Sequence, residues 1–148
     1  MGKILTDSKR LNVAIVLLLI VSLSGLIGSL IYTILGTFMP YHVAFTGKTE
    51  SNVSGYDSEL MILISVFIRL MGFYGISIAV ANLFVLFFGF REREKWAWFY
   101  TLIIGCIMYG AILIITYTVL GLSITYLTFV ASTVLWIIAL VISYKEFF

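Results

Sequence analysis

Arg69 is the side chain in this sequence with the clearest capacity for chemistry. It is the only charged residue in a mostly apolar run from Leu60 to Phe90. A charge inside a membrane-spanning helix costs about 3 kcal/mol on insertion scales, so it is rarely there without a partner or a task. No acidic residue lies inside the other long apolar runs. We therefore expect Arg69 to hold an anionic group or to anchor the chain.

The other residue types that support catalysis are sparse. His42 is the only histidine and shares a polar segment with Asp57 and Glu59. These groups could bind a metal ion or a proton, although a solvated surface histidine is the simpler interpretation. Cys106 is the only cysteine, which excludes an internal disulfide and argues against a thiol-redox enzyme. With no paired carboxylates in the apolar runs and no phosphate-binding loop, the sequence predicts a protein without catalytic activity, metal ion or cofactor.

The composition defines the solvent in which these residues lie. Hydrophobic residues make up 62% of the 148 residues and charged residues only 11%. Soluble domains are nearer half apolar and a quarter charged, so most of this chain must face lipid. The net charge of +2 is too small to indicate a nucleic-acid partner. The sequence predicts a single all-α integral membrane domain over residues 1–148.

Four apolar runs are long enough to cross a bilayer, which needs about 20 residues each. They predict a four-helix transmembrane bundle with helices at 11–38, 60–90, 97–120 and 122–144, and a polar outer loop at 39–59. In the tight turn between the last two helices, Gly121 can adopt a positive φ and Ser123 can cap the following helix. The outer loop contains Asn52-Val53-Ser54, a sequon for N-glycosylation at Asn52.

Basic residues predict the orientation of this bundle. Seven of them lie on the side of the two termini and of the short charged loop, namely Lys3, Lys9, Arg10, Arg91, Arg93, Lys95 and Lys145. The opposite side has only Lys48 in its loop. The positive-inside rule therefore places both termini in the cytoplasm, and the plasma membrane is the expected location. Trp96 and Trp98 follow the charged loop and indicate an interfacial aromatic belt that contacts lipid or a partner.

Small residues recur along every predicted helix. In lipid, helices associate by close packing, so small residues mark candidate contacts. The predicted packing positions are Gly25, Gly28, Gly75, Ala79 and Gly110, with Asn82 expected to form an interhelical hydrogen bond. These faces can pack within the four-helix bundle, or they can form a seam between two copies of the chain.

The second run is longer than a bilayer requires. At 1.5 Å per residue it measures about 46 Å, against a hydrocarbon core of about 30 Å. The surplus is expected to project outward, where it is covered either by the 39–59 loop or by another protein. If Arg91 and the tryptophans mark the inner boundary, Arg69 falls at the outer headgroup level. There it can reach lipid phosphate or the carboxylates of Glu50, Asp57 and Glu59.

Two short stretches carry a resemblance to a known family. Arg69-Leu-Met-Gly72 with the small residues after it, and the segment from Phe90 to Trp98, resemble the arginine-glycine helix and basic-tryptophan turn of DoxX-like four-helix membrane proteins. The similarity covers about a quarter of the chain. It implies a four-helix bundle, and some members of that family are accessory subunits of quinol-oxidising complexes.

The leading hypothesis is a non-catalytic accessory subunit of a larger membrane complex, of a respiratory or oxidative kind. Its partners would be membrane lipids and other membrane subunits. The alternative is a small transporter or ligand-binding protein in which Arg69 holds an anionic group. A membrane enzyme acting on a lipid or a quinone is the third hypothesis.

Overall fold

The computed structural model describes residues 6–148, which form helices and no strand. The elements are α1 (Lys9–Leu35), α2 (Pro40–Thr46), α3 (Glu50–Tyr56), α4 (Ser58–Val85), a π-helical turn (Leu86–Phe90), α5 (Lys95–Leu120) and α6 (Ile124–Phe147). Four helices of this part of the chain are long and apolar enough to cross a membrane: α1, α4 with its π-helical turn, α5 and α6. The predicted all-helical class is thus confirmed for the described residues, and so is the prediction of four helices long and apolar enough to cross a membrane.

The segment between the first two spans differs from the predicted polar loop. It folds into the short helices α2 and α3, and α1 ends at Leu35 instead of residue 38. Gly36 stops α1 because it adopts a left-handed φ of 58°. Pro40 then stands at the first position of α2, where its missing N–H costs nothing. Gly36 lies within the apolar run 11–38 and Pro40 lies just after it, so hydropathy alone does not show that the helix ends at Leu35.

Side-chain caps fix where the other helices begin. The Ser8 hydroxyl accepts from the Leu11 amide at the start of α1, and the Asp57 carboxylate accepts from the first amides of α4. Gly121 has a φ of 58°, and the Ser123 hydroxyl accepts from the Tyr126 amide. The last helix therefore starts at Ile124 and runs to Phe147, shifted from the expected 122–144.

The four spanning helices are arranged in the order α4, α1, α6, α5. α1 packs along both α4 and α6, and α5 packs along α6. α4 and α5 approach each other mainly at the π-helical turn, so a cleft separates them over the rest of their length. α3 lies against α4, and α2 lies against α5.

The best-packed part of the molecule lies at the end that holds the chain termini. Its buried side chains come from α1, the π-helical turn and α6, with Phe90 and Leu11 fully enclosed. The Glu146 carboxylate accepts from the Ser8 hydroxyl at 2.7 Å and lies 3.5 Å from the Arg93 guanidinium. This end joins three distant segments of the chain.

Two tryptophans connect α5 and α6 reciprocally. The Trp98 indole N–H on α5 donates to the Leu140 carbonyl on α6 at 3.3 Å. The Trp136 indole N–H on α6 donates to the Thr101 carbonyl on α5 at 3.1 Å. Gly105 faces the Trp136 ring so closely that an added Cβ would overlap it. The absence of a side chain at Gly105 therefore allows these two helices to approach.

Candidate functional site around Arg69

Arg69 extends from α4 to the carboxyl end of α1. Its Nη1 donates to the Thr33 carbonyl at 2.9 Å and to the Ile34 carbonyl at 3.3 Å, and its Nη2 donates to the Leu35 carbonyl at 3.4 Å. The last four carbonyls of a helix have no partner within that helix. Arg69 supplies this partner to the end of α1.

Ser65 completes the cap. Its hydroxyl donates to the Gly36 carbonyl at 2.6 Å. Ser65 and Arg69 are four residues apart and so lie on one side of α4. Together they satisfy the carbonyls from Thr33 to Gly36 at the carboxyl end of α1. Sequence reasoning missed Ser65, although its spacing to Arg69 was a usable signal.

The electrostatic partner of Arg69 is backbone, not a carboxylate. The carboxyl end of a helix carries about half a negative charge. Within residues 6–148, no acidic group forms an ion pair with Arg69. Two of the three expected acids are engaged elsewhere. Glu50 accepts from the Thr37 hydroxyl, and Asp57 accepts from the amides of Glu59 and Leu60 at the start of α4.

Glycines on α4 allow α1 to come this close. A Cβ at Gly72 would overlap Thr33, and a Cβ at Gly75 would overlap Ser29. Gly36 has the left-handed φ of the helix end, and the Arg69 side chain lies directly over it. The short distance between α1 and α4 brings the guanidinium within reach of the carbonyls.

The remaining predicted packing positions separate into two groups. Gly75 contacts α1, and Ala79 is buried. Gly25, Gly28 and Gly110 have no neighbour within 4 Å of an added Cβ, so they make no close helix contact within the described chain. The close contacts at Gly72 and Gly105 are absent from the predicted set, because the residue type does not show which helix face is covered.

Asn82 is half-buried and differs from its prediction. Its side chain forms no hydrogen bond with any residue in 6–148, whereas the sequence predicts an interhelical one. Asn82 is not among the residues that line the cleft between α4 and α5. It lies seven residues after Gly75 and so on the side of α4 that faces α1.

Trp96 and Trp98 lie at the other end of the spanning helices and take no part in the Arg69 site. Trp96 is 51% exposed and packs on Gly89 of the π-helical turn. Trp98 is half-buried, with its ring edge-on to Tyr144 and Phe148. The two neighbouring indoles thus differ in environment: Trp96 is available to the surroundings, and Trp98 holds α6.

His42 lies in a cage of aromatic rings beside the end of α1. The rings of Tyr32, Phe38 and Tyr41 lie within 6.5 Å of it, centre to centre, at 6.3, 5.9 and 4.3 Å. Its Nδ1 accepts from the Met39 amide at 3.0 Å and so caps α2. Burial lowers the pKa of His42 below its usual value, because the charged ring would lose hydration. In the described residues, no group of His, Cys, Asp or Glu side chains is close enough to hold a metal ion.

Asn52 is exposed on α3. Its side-chain oxygen accepts from the Thr49 amide at 2.9 Å and from the Thr49 hydroxyl at 2.8 Å, which forms the reciprocal cap of that helix. Asn52 thus occupies in α3 the position that His42 occupies in α2. The sequon is accessible, and its asparagine also has a structural role.

These features define an all-helical chain with four helices long and apolar enough to cross a membrane, held at one end by an arginine cap. Comparison with protein-family models, with curated proteins and with solved structures gives no match for this chain. The similarity to DoxX-like proteins therefore stays a prediction. Within the resembling segment, the structure assigns the arginine to the α1 cap and Gly72 to the contact with α1.

Proposed function

We propose that the chain is a non-catalytic subunit of a larger membrane complex and that it presents helix surfaces to a neighbouring subunit. One observation carries this proposal. Gly25 and Gly28 on α1 and Gly110 on α5 face open space, although the same residue type makes close contacts elsewhere in the chain.

The contrast among the glycines supports an external partner. Gly72, Gly75, Gly89 and Gly105 all lie against another helix or a tryptophan. In lipid, a small residue allows two helix backbones to approach and gain packing energy. A glycine that faces only lipid provides no such gain and costs about 1 kcal/mol relative to alanine in a helix. The open glycines are therefore suited to a helix from outside this chain.

The projecting end of α4 also supports an external partner. Residues 58–68 extend about 16 Å beyond Arg69 at 1.5 Å per residue. α3 covers one side, where Met61 is buried, but Ile62 and Phe67 remain 64% and 57% exposed. An apolar surface above the hydrocarbon core is unfavourable in water and is typical of an interaction site.

The role of Arg69 also favours a structural function over a catalytic one. Because its guanidinium caps α1, the one charge inside a predicted span has a task in the fold. The hypotheses of a transporter or of an enzyme acting on a lipid or quinone lose the main reason that the sequence offered for them.

The orientation belongs to the same proposal. The charged turn and the C-terminal end of α6 meet at the end where α1 begins, as the Ser8–Glu146–Arg93 contacts require. We place this end in the cytoplasm and the protein in the plasma membrane, following the positive-inside rule. We expect an impermeant reagent to label, in intact cells, a cysteine that replaces Lys48. Labelling of a cysteine that replaces Lys145 instead would show that the orientation is the reverse.

Native mass spectrometry after mild-detergent extraction from the host membrane tests the subunit proposal. We expect a second polypeptide to remain bound to the wild-type chain. Gly25→Leu with Gly28→Leu, or Gly110→Leu, should release it, because leucine fills the space for the partner helix. Ala111→Leu, an equally exposed change one position from Gly110, is the matched control. Recovery of the wild type only as a free monomer or homo-oligomer would reject the proposal.

A further inference from the structure

We propose that the outer edge of the Arg69 guanidinium binds the phosphate of a membrane phospholipid, whose acyl chain lies in the cleft between α4 and α5. This site is independent of the subunit function proposed above. It uses the guanidinium donors of Arg69 that are not bonded to α1, together with a cleft that no helix of the described chain fills.

The donors of Arg69 divide into two sets. A guanidinium has five N–H donors in a fixed plane. Nη1 donates to Thr33 and Ile34, and Nη2 donates once, to Leu35. The Nε–H and the second Nη2–H form the remaining edge of the guanidinium, with Nε beside Gly36, and no acceptor in residues 6–148 bonds to Nε. Two parallel donors of this kind fit two oxygens of a phosphate.

The charge balance favours an anion at this edge. The end of α1 offsets only about half of the positive charge of Arg69. No carboxylate in the described part of the chain pairs with Arg69, and the residue is exposed. A phosphodiester monoanion would complete the neutralisation without disturbing the bonds to α1.

The depth of Arg69 selects a lipid as the source of that phosphate. From Arg69 to Phe90, α4 and its π-helical turn together measure about 32 Å at 1.5 Å per residue, which matches a hydrocarbon core of about 30 Å. Arg69 therefore lies where lipid headgroups begin. Its neighbours Leu70, Met71 and Phe73 are exposed apolar side chains, which suit an amphiphile and not a free phosphate ion.

The cleft between α4 and α5 begins at Ile76, about 10 Å along α4 from Arg69 at 1.5 Å per residue. Ile76, Val80 and Phe84 follow Arg69 by seven, eleven and fifteen positions, so they lie within about 60° of its direction around the helix. All three line the cleft, with Tyr100 on the α5 side, and the cleft has a volume of about 650 Å³. This volume is in the range of ligand-binding clefts, and the lining is almost wholly apolar.

Native mass spectrometry of the purified protein tests the site with three added probes. These are a phosphatidylglycerol, a diacylglycerol with the same chains, and inorganic phosphate. We expect retention of one phosphatidylglycerol, at least tenfold weaker retention of the diacylglycerol, and no competition by millimolar phosphate. Equal retention of the diacylglycerol would show that Arg69 does not contribute to lipid binding. Effective competition by inorganic phosphate would show that the cleft does not contribute.

Two variants separate the phosphate edge from the cleft. Arg69→Lys keeps a cation near the α1 carbonyls but loses the two parallel donors, so phosphatidylglycerol retention should fall about tenfold. Val80→Trp fills the cleft without touching the α1 cap and should also lower retention. Val134→Trp on α6 is its matched control, because the two valines are 53% and 46% exposed. Unchanged retention in both Arg69→Lys and Val80→Trp would overturn the proposal, and circular dichroism checks that each variant is folded.

Discussion

The arginine cap gives the sharpest test of how this fold is held together. Arg69→Leu removes the donors to Thr33, Ile34 and Leu35. The two bonds from Nη1 have good length, and the third, at 3.4 Å, is weak. Side-chain hydrogen bonds in membrane proteins contribute about 1 kcal/mol each. The last turn of α1 should therefore lose about 2 kcal/mol of local stability.

Hydrogen exchange measures that loss directly. About 2 kcal/mol corresponds to roughly 30-fold faster exchange. We expect this acceleration for the amides of residues 33–37, including the Gly36 amide that bonds to the Tyr32 carbonyl. The opposite end of α1 should exchange as before, because its cap at Ser8 is intact. Global unfolding alone is a poorer readout, since leucine is easier than arginine to place near lipid and this gain offsets part of the loss.

Two further variants control the interpretation. Ser65→Ala removes only the bond to the Gly36 carbonyl and should accelerate exchange less than Arg69→Leu. Arg69→Lys retains one charged donor group, so its exchange rates at the end of α1 should fall between those of the wild type and of Arg69→Leu. Equal exchange at residues 33–37 in the wild type and Arg69→Leu would refute the capping role.

Two other predictions concern packing and pH. Gly105→Ala should lower the free energy of unfolding by about 1–3 kcal/mol, because the added methyl group collides with the Trp136 ring. Gly110→Ala, where the methyl group meets open space, should be neutral or slightly stabilising. Equal losses of stability for the two variants in detergent unfolding would contradict the packing argument. Because burial lowers the pKa of His42 from its usual 6.5, the cap that it forms with the Met39 amide should be complete above pH 6.5 and weaken as the pH falls below that value. His42→Asn keeps an acceptor and should abolish this dependence in the protection factors of residues 39–47, which correct hydrogen exchange for its intrinsic pH dependence. A dependence of the protection factors that persists in the variant would exclude His42 as its cause.

Much of the fold was predictable, because long apolar runs allow few structures in lipid. The four spanning helices follow from hydropathy, and Gly121 and Ser123 mark a turn through their own chemistry. The acceptors of Arg69 were not predictable. They are backbone carbonyls, which every residue has, and no side chain in the sequence marks them.

The faces of the spanning helices were equally hard to assign. In water, a polar stripe indicates the exposed side of a helix, but in lipid both sides are apolar. Gly25 and Gly105 therefore look alike in sequence, although one faces open space and the other a tryptophan ring. α2 and α3 were missed because each is only seven residues long, too short for a helical period of apolar residues to be recognised.

The central position of α1 has a consequence for the order of assembly. Of the four long helices, α1 is synthesised before the others, yet its two neighbours in the fold are α4 and α6, and α6 follows all of them. Until α4 enters the bilayer, the carbonyls from Thr33 to Gly36 must bond to water or lipid headgroups. Until residue 146 is made, the Ser8 hydroxyl has no Glu146 to bind. α1 is thus held first by α4, and its contacts with α6 form only when residues 124–147 are in place, so a nascent chain stalled before α6 would present the α6 side of α1 to membrane chaperones and proteases.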